Sequence, residues 1–354
     1  MEIQNWQRYV KALAVTFAGA LAAALIFIVA MNPYGNLPKL LFKRHVIMDS
    51  DQRFQYPSII RSGDFDSAVI GTSSARLLKP SELEAVFGGR FANLGINDGR
   101  AWEQTQVANL FLRHVAKPRT IIFGLDWVWC FAAADTNRTR NNEFPEWLYA
   151  DNRLTDWNYV LNARAIEISF RKLGYYLGLG KPRFPTNGYE VFVPPDETYD
   201  AAKASAKIWD GGTRNRTPMV PTETISDAER AAWRFPALAW LADVVARIPK
   251  QTRIVLVWVP AHIAVLPVPG TKEALRVEAC KARVTEIASR AGAPLVDFRF
   301  PSRMTENDAN FWDNLHYRVP VASEIVGALR AAVVDGRDDP QGRWRRLNDV
   351  KIVP

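Results

Sequence analysis

From Ala12 to Met31 the chain carries no charged residue and is built almost wholly from Ala, Leu, Ile, Val and Phe. At about 1.5 Å of rise per residue such a run spans about 30 Å, the hydrocarbon thickness of a bilayer. A secretory signal would have a shorter apolar core, and Ile28-Val29-Ala30 makes a poor cleavage site, so the run reads as a retained anchor. Trp6 and Tyr9 before it and Tyr34 after it suit the two interfaces, where amphipathic rings are favoured.

Past a linker at about residues 32–65 the pattern changes to short apolar runs alternating with amphipathic stretches. The runs predict strands at Asp66–Gly71, Arg90–Leu94, Thr120–Leu125, Arg253–Val259 and Pro294–Phe298. Helices are expected over Pro80–Phe87, Ala101–Val115, Asp227–Arg247, Lys272–Arg290 and Val319–Val334, with Gly88, Pro118, Pro249 and Gly292 where they should stop. Alternation of this kind predicts an α/β fold, a flavodoxin-like doubly wound five-stranded parallel sheet over residues 66–334. Ligands gather at the carboxyl ends of such strands.

One crossover is far too long for a simple connection. The insertion at about 131–225 holds a helical part, about Trp157–Leu179, and a part rich in Pro, Gly and aromatic residues from Lys181 to Pro221. It is expected to be a lid or accessory subdomain. The polar tail, 335–354, is expected to be loosely ordered.

Composition adds limits. Apolar residues make up 48% and charged residues 23%, the balance of a chain that buries a core. The net charge of +8 is dispersed, with no basic run beyond Arg343–Arg346, and nucleic acid is not an expected partner. Arg8 and Lys11 before the span nearly balance Lys39, Lys43 and Arg44 after it, so charge alone does not orient the anchor. A short flank can stay cytoplasmic while a long folded domain is exported. The expectation is a single-pass inner-membrane protein, with residues 1–31 as cytoplasmic flank and anchor and the soluble body in the periplasm. Cys130 and Cys280 form no metal-spaced cluster; buried free thiols are the default, and a disulfide requires export. No P-loop, dinucleotide fingerprint or zinc motif occurs, and no cofactor or metal is expected.

Two segments could carry chemistry. Gly71-Thr72-Ser73-Ser74-Ala75-Arg76 follows a predicted strand directly, which exposes a serine near a helix N-terminus. Asp313-Asn314-Leu315-His316 follows the last predicted strand. A histidine that takes the serine proton, with a carboxylate three residues earlier to orient it, is the logic of an activated serine. His45 and His114 are assigned structural roles by position, and His262, at a strand's carboxyl end, is read as structural or as a substrate contact. Trp127 and Trp129 are candidates for stacking on a sugar ring or for packing, and Arg76 for binding an anionic group.

These segments, in this order, resemble the SGNH (GDSL-like) hydrolase superfamily. Gly71-Thr72-Ser73 matches its nucleophile block and favours Ser73 over Ser74. Asn93-Leu94-Gly95 matches the second block, which implies that the Gly95 N–H helps form the oxyanion hole together with the backbone at Ser73. Asp313 and His316 match the final Asp-x-x-His block. Gly124-Leu125-Asp126 departs from the third, with Asp126 in place of an oxyanion-hole Asn; a carboxylate cannot donate unless protonated. Thr72 also replaces the usual acid beside the serine. These departures and the anchor are similar to the membrane-anchored SGNH-like proteins associated with polysaccharide O-acylation. The resemblance implies an acyl esterase or O-acyltransferase acting on a cell-surface or exported polysaccharide through a Ser73 acyl-enzyme. Its alternative is a catalytically silent accessory module that binds polysaccharide or a membrane-bound O-acyltransferase. Partners beyond the lipid bilayer would be these two.

Overall fold

The computed structural model describes residues 2–36, 46–140, 144–150 and 161–350, with side chains from residue 5 onward. It divides into two units, Met1–Ser62 with Pro145–Thr186, and Gly63–Phe144 with Asn187–Pro354.

In the first unit the apolar run lies in a single helix, Glu2–Met31. Its Asn5–Met31 stretch, in which an 18-residue window has a mean hydropathy of 2.5, is long and apolar enough to cross a membrane. The helix begins ten residues before the apolar run, because nothing in residues 2–11 breaks helical backbone. Trp6 and Tyr9 are exposed on it, whereas Tyr34 is buried, its hydroxyl donating to Asn162 Oδ1 at 3.2 Å. Burial pushes the Tyr34 phenol up to about 12. The segment expected to be a linker contains a helix, Gln52–Ile60, capped by the Asp51 carboxylate and almost entirely buried. Residues 37–45 and 151–160 lie outside the described residues, including His45 and the start of the helix expected from Trp157. That helix runs Ala163–Tyr176, capped by Asn162, and meets the N-terminal helix through Phe170 on Phe27 at 4.8 Å.

The second unit is α/β. Five strands, β1 (Ser67–Thr72), β2 (Phe91–Ile96), β3 (Thr120–Leu125), β4 (Arg253–Trp258) and β5 (Leu295–Asp297), are parallel and almost wholly buried, which is why they read as continuous apolar runs. A sixth, β6 (Arg345–Arg346), adds antiparallel to β5 and completes the order β2-β1-β3-β4-β5-β6. The sheet is therefore six-stranded and mixed rather than five-stranded. The tail expected to be loose supplies β6 and buries Trp344, packed near Phe298.

Helices Pro80–Phe87 and Lys272–Arg290 match the pattern to the residue. The stretch expected as one helix over 227–247 is two, Asp227–Ala232 and Ala237–Arg247, because Pro236 has no N–H to continue the ladder and restricts Phe235 before it. Val319–Leu329 ends in a π turn, Arg330–Val334. Helix Ala101–His114 packs on Ala237–Arg247, and Pro80–Phe87 on Val319–Leu329, giving two separate helical groups. The long insertion is divided: residues 145–186 belong to the first unit, and its flanks belong to this one. Cys130 and Cys280 are disulfide-bonded rather than free, tying the turn after β3 to helix Lys272–Arg290.

A row of glycines crosses the sheet where the first strands end. Gly71 of β1 stands opposite Gly95 of β2 and Gly124 of β3. A Cβ at Gly71 would lie 2.7 Å from the Ala75 methyl and 2.8 Å from the Gly124 carbonyl, and one at Gly124 would lie 2.6 Å from the same methyl. A Cβ at Gly95 would lie 2.7 Å from Arg76 Cγ and 2.9 Å from the Thr72 carbonyl. The turn after β1 therefore folds back onto the sheet only because no side chain occupies this row. Gly71→Ala and Gly95→Ala are each expected to cost about 1–3 kcal/mol, the usual range for overpacking, measured as a lowered Tm. Gly327→Ala, where an added Cβ meets nothing within 4 Å, should leave Tm unchanged or raise it.

Candidate active site

β1 ends in Thr72, and Ser73–Ala75 turns at once into a 3-10 helix. Three carbonyls of this loop, those of Ala75, Arg76 and Leu78, accept bonds of 2.9–3.1 Å from the buried Asn93 side-chain amide. The same side chain accepts the Gly95 N–H through Oδ1 at 3.1 Å. Asn93 thus holds the turn from beneath, which its place in a short motif quoted for Gly95 did not reveal.

The last segment arrives from the far end of the sequence. Phe311 bridges Tyr317, and the Trp312 N–H donates to the His316 carbonyl at 2.9 Å, closing a tight loop around Asp313 and His316. The Tyr317 hydroxyl, fully buried, donates to the Ser74 carbonyl. Burial also raises the Tyr317 phenol, so the hydroxyl keeps its proton as a donor. One side chain therefore ties the histidine loop to the serine turn, and no motif in the sequence pointed to it.

The result is a relay. Ser73 Oγ lies 2.9 Å from His316 Nε2, and His316 Nδ1 lies 2.8 Å from Asp313 Oδ2 and 3.1 Å from Oδ1. Asp313 Oδ1 also accepts the N–H groups of Leu315 and His316, each at 2.8 Å. Partial burial acts to raise the Asp313 carboxyl, but the His316 bond and these two N–H donors outweigh it and hold the group below the usual carboxylate range. An ionised Asp313 only accepts, so Nδ1 carries the ring proton and Nε2 is left to accept from the serine hydroxyl. Ser74 is buried and has no bond to His316. Phe192, from the part of the insertion rich in Pro, Gly and aromatic residues, stands edge-on to the imidazole at 5.2 Å.

Ser73 and His316 open on a cleft of about 440 Å³. Asn97, Asp98 and Gly99 form one wall, and Asp126, Trp127 and Arg299 another. Asp126 Oδ2 accepts the Thr72 hydroxyl and Oδ1 the Val128 N–H at 3.1 Å, capping the 3-10 turn Trp127–Cys130. Burial raises the Asp126 carboxyl, against the opposing pull of Arg299 and of the Thr72 bond. Trp127 is 45% exposed on the cleft wall, whereas Trp129 is core, its indole N–H bonded to Gln104 at 3.2 Å.

Three expected site residues lie elsewhere. Gly95 is inside β2, away from the cleft wall, with its N–H given to Asn93; its missing side chain serves the turn's close approach instead. Arg76 is 1% exposed, bonded to Asn97 at 2.7 Å and ion-paired with Glu190, so its charge is not offered to a ligand. His262 is fully buried between the Trp209 and Phe311 rings, its Nε2 at 3.1 Å from Asp308 and its Nδ1 accepting the Ala264 N–H, and it makes no contact with the cleft.

No family model and no curated protein sequence matches the chain.

Desolvation lowers the His262 imidazole below its ordinary value, outweighing attraction to Asp308. A histidine whose folded value is depressed contributes no penalty above about 6.5, and stability is lost as pH falls below that toward the folded value. The Tm is expected to fall between pH 7 and pH 5, and the fall should be smaller in His262→Gln. Parallel pH profiles for the two proteins would contradict this assignment.

Proposed function

We propose that the chain is a membrane-anchored SGNH-like acyl esterase or O-acyltransferase acting on a cell-surface or exported polysaccharide through an acyl-enzyme on Ser73. The observation that carries this reading is the Ser73–His316–Asp313 relay, with 2.9 and 2.8 Å links, opening on a cleft at the carboxyl end of β1. The strand order β2-β1-β3-β4-β5 is that of flavodoxin-like sheets, which supports the superfamily resemblance.

On this reading Ser73 Oγ attacks the ester carbonyl as its proton passes to His316 Nε2, and ionised Asp313 stabilises the imidazolium. Collapse of the tetrahedral intermediate expels the alcohol, which takes the proton back from Nε2. Water or an acceptor hydroxyl then attacks the acyl-serine with His316 again as base, giving free acid or a transferred ester. The Ser73 N–H, at the head of its 3-10 turn, is suited to the oxyanion. Asp126 can help only as the neutral acid, the form its burial favours.

A second reading, the catalytically silent accessory module, is favoured by one observation: both Asp126 oxygens already accept bonds within the protein. A fluorophosphonate probe separates the two. The full chain in detergent should label covalently, and Ser73→Ala and His316→Ala should each reduce labelling at least about 100-fold. An unlabelled parent, or a Ser73→Ala protein that labels equally, favours the silent module.

The Cys130–Cys280 disulfide supports export, since such bonds persist in oxidising compartments. The soluble body is accordingly proposed to be periplasmic, on a single inner-membrane span. A periplasm-active phosphatase fused to Pro354 should be active and a cytoplasm-active fluorescent protein dark. The opposite pair of results would place the substrate inside the cell.

A further inference from the structure

Arg299 lies two residues past β5, is 9% exposed, and lines the triad cleft. It also lines a second cavity of about 320 Å³, whose wall is largely apolar and includes Trp258, Leu266, Pro267 and Phe300. Trp127 and Arg299 are common to both cavities, so the two spaces meet at these side chains.

Among the described residues, the guanidinium makes one hydrogen bond, to the Val259 carbonyl at 3.4 Å, at the long limit for such a bond. A guanidinium has five N–H donors, and none of the Arg299 nitrogens is a buried atom without a partner, so the donors not bonded to Val259 are open to solvent and to a ligand. The neighbouring charges do not engage them. Asp98 is paired with Arg140 at 2.8 Å and Glu273 with Arg276 at 2.9 Å. Asp297 holds Lys281 at 2.9 Å and Arg345 at 2.8 Å, and Arg345 also faces Glu278 at 3.6 Å. His316 is taken by Asp313. Asp126 remains, but its oxygens are bound by Thr72 and Val128, and it forms no ion pair with Arg299.

We propose that Arg299 is an anion subsite: it receives a carboxylate or phosphate carried by the ester substrate, while an adjoining apolar part of that substrate occupies the second cavity. The proposal rests on the acyl-transfer reading of the cleft. It narrows the substrate to esters bearing a negative charge, and it gives a role to a guanidinium that Asp126 and Asp297 attract without a direct ion pair. A planar fork of donors suits both oxyanions, and Lys would present only a point charge.

Binding tests this without turnover. The full chain carrying Ser73→Ala, in a zwitterionic detergent, is titrated calorimetrically with two matched pairs. Monophenyl succinate and its methyl ester place the charge on the acyl side; 4-acetoxybenzoate and its methyl ester place it on the alcohol side. The anionic member of at least one pair should bind about 10-fold tighter or more, the strength of a charge-assisted bond, and the pair that shows it identifies which side carries the charge. Adding Arg299→Gln should erase the difference, and adding Arg299→Lys should reduce it severalfold. Equal affinity within both pairs, or no binding by any of the four compounds, overturns the subsite. So does a preference unchanged in either Arg299 variant; if Arg299→Gln does not fold, the Lys variant decides. Fluorophosphonate labelling of the parent is independent of all these results, so loss of the subsite and loss of the acyl-transfer reading are told apart.

Discussion

Everything at the candidate site depends on how closely one turn approaches the sheet. Ala75 and Arg76 lie against Gly71, Gly95 and Gly124, at distances that no Cβ in that row would tolerate. With the turn seated there, Asn93 can reach three of its carbonyls from below and Tyr317 a fourth from the far end of the chain. Ser73 is thereby placed by rigid elements on two sides rather than by a free loop, which keeps its hydroxyl within reach of His316. The arrangement also explains the buried Arg76, whose methylenes fill the space over Gly95 while its guanidinium is bonded to Asn97 and Glu190.

The electrostatics follow from the same packing. Asp313 is kept ionised by donors on its own loop, so the imidazole proton stays on Nδ1 and Nε2 faces the serine. Asp126, across the cleft, is driven the opposite way by burial. Two carboxyl groups on one cleft are thus pushed apart by their environments. Arg299 sits beside the second of these with its charge uncompensated by any direct pair. The disulfide fastens the turn bearing Trp127, the other residue at the junction of the two cavities.

Much of the fold was legible because its strands are buried on both faces and so appear as unbroken apolar runs, and because helices such as Pro80–Phe87 carry their own stops. Ser73 was legible from its place just beyond a predicted strand, and Asp313 with His316 from their three-residue spacing just before the last predicted helix; the fold brings the three side chains together. What escaped had physical reasons. Pro236 broke a helix whose apolar pattern continued across it. The edge strand at Arg345–Arg346 is two residues of basic sequence, stabilised by Asp297 and by burial of Trp344, and no periodicity announces it. The segment before β1 looked like a linker because Gln52–Ile60 mixes polar and apolar residues, although nearly all of them are buried. Gly95 was identified by motif, but a motif cannot show that its N–H is already used. Tyr317 matters only through a partner that the fold brings to it from 243 residues away.

The central claim is that this turn makes Ser73 a working nucleophile, and transfer of an acyl group from an ester to that residue tests it most directly. Incubation of the full chain with an activated acetyl ester, acid quench and peptide mass mapping should find one acetyl group, on the peptide containing Ser73, absent from Ser73→Ala and much reduced in His316→Ala. Acetylation confined to other residues, or an adduct on Ser73 that forms as fast without His316, would contradict the account.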